Sequence, residues 1–301
     1  MHKLLPDRQP RQLGNSDMSV SPLAWGMWRM TGEVAAAATL VHATLDAEIT
    51  LFDTADIYGF DAPEGFGGAE AILGAVLAAD KGLRGRIVLA TKGGITPPVP
   101  YDSSGAYLMA ALDASLRRLR TDYVDLYQIH RPDILAHPHE VARALETMVA
   151  SGKVRAIGVS NHSIEQHRAL AKFLTIPIAS TQPEVSPLAI EPIEGGLFDL
   201  AMAEEMAVLA WSPLGGGRIG DPQDDRARAV CAALDVVATE AGVSRAAAAY
   251  SWIMAHPARA IPIVGTQNVE RIAEIPDAFK CRWTRRSWYD VLVASRGVRL
   301  P

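Results

Sequence analysis

The sequence predicts an α/β fold: a (β/α)8 TIM barrel with additional helices, built as a single domain over residues 1–301. Three observations carry this. Short, continuous apolar runs alternate with longer amphipathic stretches along the whole chain. Eight such runs can be counted, and eight strand–helix units in about 250 residues is the size of a closed parallel barrel. No Pro/Gly/Ser linker or low-complexity segment divides the 301 residues. A doubly wound open sheet is the competing architecture, and the lack of a G-x-G-x-x-G after the first run weakens it.

The expected strands are 20–24, 49–52, 87–90, 124–129, 154–159, 178–181, 207–211 and 260–264. Several are too continuously apolar for a half-solvated strand and suit strands covered on both faces. Helical spacing covers 33–46, 69–79, 106–119, 139–150, 164–174, 197–206 and 269–279. Gly82 and Gly152 stand where helices stop. Ser163 is placed as an N-cap, with Gln166 three residues on. Two additional helices are expected, one at 225–241, inserted before 244–255, and one at 284–295.

Composition narrows the classes of function. Hydrophobic residues make up 49% and charged residues 21%, ordinary globular usage rather than a disordered chain. The formal net charge of −5 offers no overall basic footprint for nucleic acid or anionic membrane. The N-terminus has no apolar run of signal-peptide length, and no stretch approaches a membrane span. The two cysteines, Cys231 and Cys281, lie far apart, which fits a reducing compartment. A cytoplasmic protein acting on a small molecule, without nucleic-acid or membrane partners, is the expectation. Oligomeric state is not legible.

A parallel barrel carries its chemistry at the C-terminal ends of its strands. Polar residues follow the apolar runs repeatedly: Asp53, Lys92, His130, Ser160 with Asn161, Gln182, Ser212 and Thr266. Alone, Asp53 reads as a loop cap, Tyr58 as a half-buried aromatic and His130 as a structural histidine. A lysine ending an apolar strand is costly to bury without a carboxylate, and Asp53 is the natural partner of Lys92. Together the four have a chemical logic. A phenol ordinarily titrates near pH ~10, and a neighbouring ammonium eases its ionisation. A histidine can orient a carbonyl oxygen. That makes a proton-donor site for reducing C=O, with Tyr58 as general acid. It needs a hydride cofactor.

The motifs resemble the aldo-keto reductase family, in a bacterial-type version. D-T-A-x-x-Y-G stands at 53–59, T-K-G-G at 91–94 and D-L-Y-Q-I-H at 125–130. G-K-V-R-x-I-G-V-S-N stands at 152–161 and S-P-L-G at 212–215. The late nucleotide segment resembles Ile261-Pro262-Ile263-Val264-Gly265-Thr266 with Arg271-Ile272. The matches run in family order over almost the whole chain.

The resemblance implies an NADPH-dependent reductase of aldehydes and ketones, reversible with NADP+, with NADH less favoured. It implies Tyr58 as proton donor, Lys92 as its tuner, Asp53 as the holder of Lys92 and His130 as the orienter. Ser160, Asn161 and Gln182 would bind the nicotinamide carboxamide, and Trp211 would stack on the ring. Gly26, Met27, Ser212, Leu214, Gly216 and Arg218 complete the nicotinamide and pyrophosphate contacts. Gly265, Thr266, Gln267 and Arg271 are placed at the adenosine, with Arg271 on a 2′-phosphate. The sequence departs from many relatives in having Ile263-Val264 where a Lys-Ser pair stands, and Ile275 after Glu274. Trp28, Phe60 and Arg131 are expected around the substrate. No metal is implied.

Three other readings compete with this one. A metal-dependent hydrolase would use His130, His137 and His139. A Schiff-base aldolase would use Lys92 as nucleophile. A nucleotide-sensing regulatory subunit would keep the site with little turnover.

Overall fold

The computed structural model describes residues 3–300. Eight parallel strands close a barrel: β1 (Ala24–Gly26), β2 (Leu51–Asp53), β3 (Val88–Gly93), β4 (Val124–Ile129), β5 (Val154–Ser160), β6 (Ile178–Gln182), β7 (Ala207–Ala210) and β8 (Ile261–Val264). Each pairs with its neighbour in sequence. The ring is completed where Ile263 and Val264 of β8 pair with Ala24 and Trp25 of β1.

Two apolar layers hold it. Leu51, Ala90, Leu126, Leu209, Ile261 and Ile263 point into the barrel. Phe52, Leu89, Tyr127, Ile157 and Val208 point outward, under the helices. Strands buried on both faces are what the unbroken apolar runs require.

The outer ring contains α1 (Val34–Asp46), α2 (Gly68–Ala79), α3 (Gly105–Leu119), α4 (Pro138–Ala150), α5 (Ile164–Ala171), α6 (Glu191–Glu194) and α7 (Leu197–Ala203). It continues with α8 (Asp225–Ala241), α9 (Arg245–Met254), α10 (Val269–Glu274) and α11 (Arg285–Arg296). The Ser163–Gln166 capping box forms as expected at the start of α5. Gly74 allows α2 to lie against the end of α3; a Cβ there would come within 2.0 Å of the Arg118 carbonyl oxygen.

Several boundaries differ from the sequence expectation. The segment 20–24 is not one strand. Pro22 has no N–H for a ladder, and the chain turns there. Ser19–Val20 instead forms a hairpin with Arg11–Gln12, and Ala24–Gly26 alone joins the barrel. This hairpin plugs the N-terminal end of the barrel with Leu13, Met18 and Val20. Trp211 lies beyond β7, in an isolated bridge with Glu184. The span 269–279 is a six-residue helix followed by a 3-10 segment, Ile275–Lys280, because Pro276 cannot donate to a continuing helix. The pairing of Lys3–Leu4 with Trp283–Thr284 was not anticipated.

Candidate active site

Side chains alternate along each strand, so the inward series can be followed to the barrel mouth. Leu51 leads to Asp53, Ala90 to Lys92, Leu126 to Gln128 and His130, and Leu209 to Trp211. The inward positions are apolar in the middle and polar at the C-terminal end. That switch floors a cleft of about 960 Å3.

Asp53 and Lys92 form the floor. Lys92 Nζ donates to Asp53 Oδ2 at 2.6 Å and to the Thr54 carbonyl at 2.8 Å. Gln182 and Gln128 donate to Asp53 Oδ1 at 3.0 and 3.3 Å. The carboxylate therefore takes three donors, which is how a charge this deep is tolerated. Burial alone would lower the Lys92 pKa; Asp53 and Tyr58 outweigh it and hold the ammonium above its ordinary range.

Tyr58 stands on the loop between β2 and α2, half-buried at the cleft wall. Lys92 Nζ lies 4.9 Å from its ring centroid, and the His130 ring centroid is 5.8 Å away. Burial pushes the phenol above its ordinary value, and the Lys92 ammonium opposes this without overcoming it. The easing expected from Lys92 is present, but desolvation is larger. His130, at the end of β4, is pushed well below its ordinary value by burial and by the charges of Lys92 and Arg131. It is a neutral imidazole, with Nδ1 buried and unbonded.

Ser160, Asn161 and Trp211 form one chain of hydrogen bonds. Ser160 Oγ donates to the Gln182 carbonyl at 2.9 Å, and Asn161 Nδ2 donates to Ser160 Oγ at 2.7 Å. The Trp211 Nε1–H donates to Asn161 Oδ1 at 2.9 Å, fixing the indole. Asn161 sits at φ 57°, a conformation asparagine tolerates better than most residues.

Toward the other end, Ser212, Leu214, Gly216, Gly265, Thr266, Gln267 and Arg271 all line the same cleft. Ser212 Oγ accepts from the Gly216 N–H at 2.9 Å. Gly216 and Gly217 have φ of 68° and 99° with open space around them. Gln267 Nε2 is buried without a partner. The first-turn amide of Arg271 is taken by the Asn268 side chain at 2.9 Å.

Three expected residues lie elsewhere. The Met27 side chain is in the core. Phe60 is exposed and not part of the cleft lining, and Arg218 pairs with Asp224 at 2.7 Å outside it. The histidine cluster also dissolves. His137 caps α4 by accepting from the His139 N–H at 3.2 Å, and both rings pack on Phe173, while His130 lies in the cleft. Among the described residues, no three His, Cys, Asp or Glu side chains gather to hold a metal.

Comparison with known proteins shows the family. The sequence model described as the Aldo/keto reductase family matches residues 22–291. The chain belongs to the aldo-keto reductases. It is 60% identical over 294 residues to a 6-dehydroglucose reductase of Novosphingobium aromaticivorans, covering 97% of both chains. A protein of the same name from Agrobacterium fabrum is 37% identical, covering 93% of this chain and 96% of that one. Among solved structures, the glycerol dehydrogenase AKR11B4 from Gluconobacter oxydans superposes with a TM-score of 0.82 at 27% identity, over 97% of each chain. This aldo-keto reductase is thus an oxidoreductase of carbonyl and alcohol groups.

Sequence reasoning missed several cleft residues of this reductase. Gln128 is a polar residue inside an apolar strand, a signal that was available, and it braces Asp53. Ser244 and Tyr250 line the cleft from α9 and its cap. That helix was expected at 244–255, but nothing in its sequence marks its beginning as facing the barrel mouth. Arg29, exposed beside Trp28, left no signal that a single sequence reveals.

Proposed function

We propose that this enzyme reduces aldehydes, sugar aldehydes such as 6-dehydroglucose among them, to alcohols with NADPH, and that Tyr58 gives the proton. The observation that carries the reading is the convergence of Tyr58, His130 and the 2.6 Å Lys92–Asp53 pair on one cleft. The 60% identity to a 6-dehydroglucose reductase supports the substrate.

The cleft fits a nicotinamide dinucleotide. Its length runs from Asn161 and Trp211 to Arg271, and the orphaned Gln267 Nε2 at the far end asks for an acceptor. Arg271 has no acidic partner among the described residues, as a reader of a 2′-phosphate requires. Ser160, Asn161 and Gln182 offer both donors and acceptors to a carboxamide, which fixes the ring face turned to the substrate. When bound, the cofactor supplies the hydride that a carbonyl carbon accepts.

The chain's own residues do the rest. Neutral His130 donates an N–H to the carbonyl oxygen and aligns it toward Tyr58. The Tyr58 hydroxyl protonates that oxygen as negative charge builds on it. Lys92, kept charged by Asp53, stabilises the phenolate left behind until the proton is replaced. In reverse, the phenolate takes the alcohol proton. The buried, free Cys231 and Cys281 support a reducing, cytoplasmic setting, and no helix among the described residues is long and apolar enough to cross a membrane.

The test mixes protein, NADPH and an aldehyde, 4-nitrobenzaldehyde or 6-dehydroglucose, and follows loss of the reduced-nicotinamide absorbance. Turnover is expected. Tight NADPH binding with no turnover on any aldehyde would overturn the reading in favour of a nucleotide-sensing role.

A further inference from the structure

The substrate end of the cleft holds two guanidinium groups that the chemistry above does not use. Arg131 follows His130 directly, and its Cζ stands 5.6 Å from the Trp211 ring centroid. Arg29 stands 5.5 Å from the centroid of the exposed Trp28 indole. Both line the cleft. Thirteen ion pairs occur among the described residues, and neither arginine takes part in one. Neither donates a hydrogen bond to a protein group there.

Their surroundings are unusual in charge. Lys92 is neutralised by Asp53, and His130 is neutral. Arg29 and Arg131 are therefore uncompensated cations in a chain of net charge −5. A guanidinium carries five N–H donors, no acceptor, and cannot shed its proton. Over an indole it is steered by the ring while its edge stays free to donate. The Trp211 support is itself fixed through Asn161. What such a pair recognises is oxygen.

We infer that Arg29 and Arg131 determine specificity by donating to oxygens on the carbons beside the reacting carbonyl, so that the enzyme selects polyhydroxylated aldehydes over plain alkyl ones. The inference rests on the aldehyde-reductase reading and sharpens it. Trp28, 65% exposed at the cleft mouth, supplies the apolar face on which the C–H side of a sugar lies. An aldehyde without hydroxyls offers the half-buried Arg131 no acceptor in place of the water it displaces and leaves the exposed Arg29 in solvent, so it is held less well than a polyhydroxylated one.

The experiment measures kcat/KM with NADPH for D-glyceraldehyde and for propanal, in the wild type and in Arg131→Met, Arg29→Met and Arg131→Lys. Each aldehyde hydrates to the same extent whichever variant is present, so the change in the ratio between variants is free of that effect. The glyceraldehyde-to-propanal ratio is expected to fall about tenfold or more in each Met variant, chiefly through KM. Arg131→Lys should recover part of it, since an ammonium still donates. NADPH dissociation constants are measured alongside by fluorescence. An unchanged ratio overturns the inference. So does a loss that follows a raised NADPH dissociation constant equally for both aldehydes, which would make the arginines cofactor ligands. Should a variant fail to fold, the wild type alone decides: glycerol must inhibit more strongly than propan-1-ol, and equal inhibition overturns the inference. Inactivity of the wild type toward every aldehyde, 4-nitrobenzaldehyde included, fails the underlying reading instead.

Discussion

In the proposed reaction Tyr58 releases a proton from a place that disfavours its charged form. Burial raises the phenol and Lys92 only partly offsets this. The hydroxyl is therefore fully protonated near neutrality, the form that reduction uses. Oxidation of an alcohol needs the phenolate, whose population grows with pH. Reduction should be flat around neutrality, while kcat/KM for alcohol oxidation with NADP+ should still be rising at pH 9; a plateau below neutrality would show another group as the base. Tyr58→Phe should keep NADPH affinity and lose about 10²- to 10⁴-fold in turnover, the usual worth of a positioned proton donor, read in single-turnover reduction. Arg271→Ala should weaken NADPH far more than NADH by fluorescence titration. Equal weakening would mean that Arg271 does not contact the 2′-phosphate.

The elements meet at places where a single methyl group is too much. Gly74 is one, with the Arg118 carbonyl filling the space of a side chain. Gly74→Ala must push α2 from α3, and overpacking of this kind costs about 1–3 kcal/mol, measurable as a lowered urea midpoint. Such a contact is invisible in the sequence, where Gly74 reads only as a weak helix residue. The elements themselves were legible because burial on both faces leaves an unmistakable apolar run, as at 124–129, and because Ser163 and Gln166 announce a helix start. The segments read wrongly were those where Pro22 and Pro276 cut an apolar pattern that otherwise continued. Of the proposed catalytic cluster, Asp53, Lys92 and His130 were legible because each ends such a run, and Tyr58 because of the motif that follows Asp53. Arg29 and Ser244 were not, because nothing local marks a loop residue that long-range folding brings to the mouth.

At the scale of the molecule, stability should depend on acid in part through His162, as well as through the buried His130. Burial holds its pKa down to about 4, against 6.5 for a free imidazole. Between those values the unfolded chain binds a proton that the folded chain refuses, so stability falls as pH drops from about 6.5 to about 4. Replacing His162 with Gln should make the fall of the denaturation midpoint across this window shallower; an equally steep fall would assign the effect to other groups. The hairpin plug has a different consequence. Leu13 and Val20 pack on Ile261 and Ile263, the Trp25 indole bonds to the Thr266 carbonyl, and Lys3–Leu4 waits for Trp283–Thr284. Residues early in this sequence thus have as partners residues far later in it. Until β8 is made, β1 presents an unpaired edge, so a nascent chain arrested before Ile261 should depend on chaperones and clump without them.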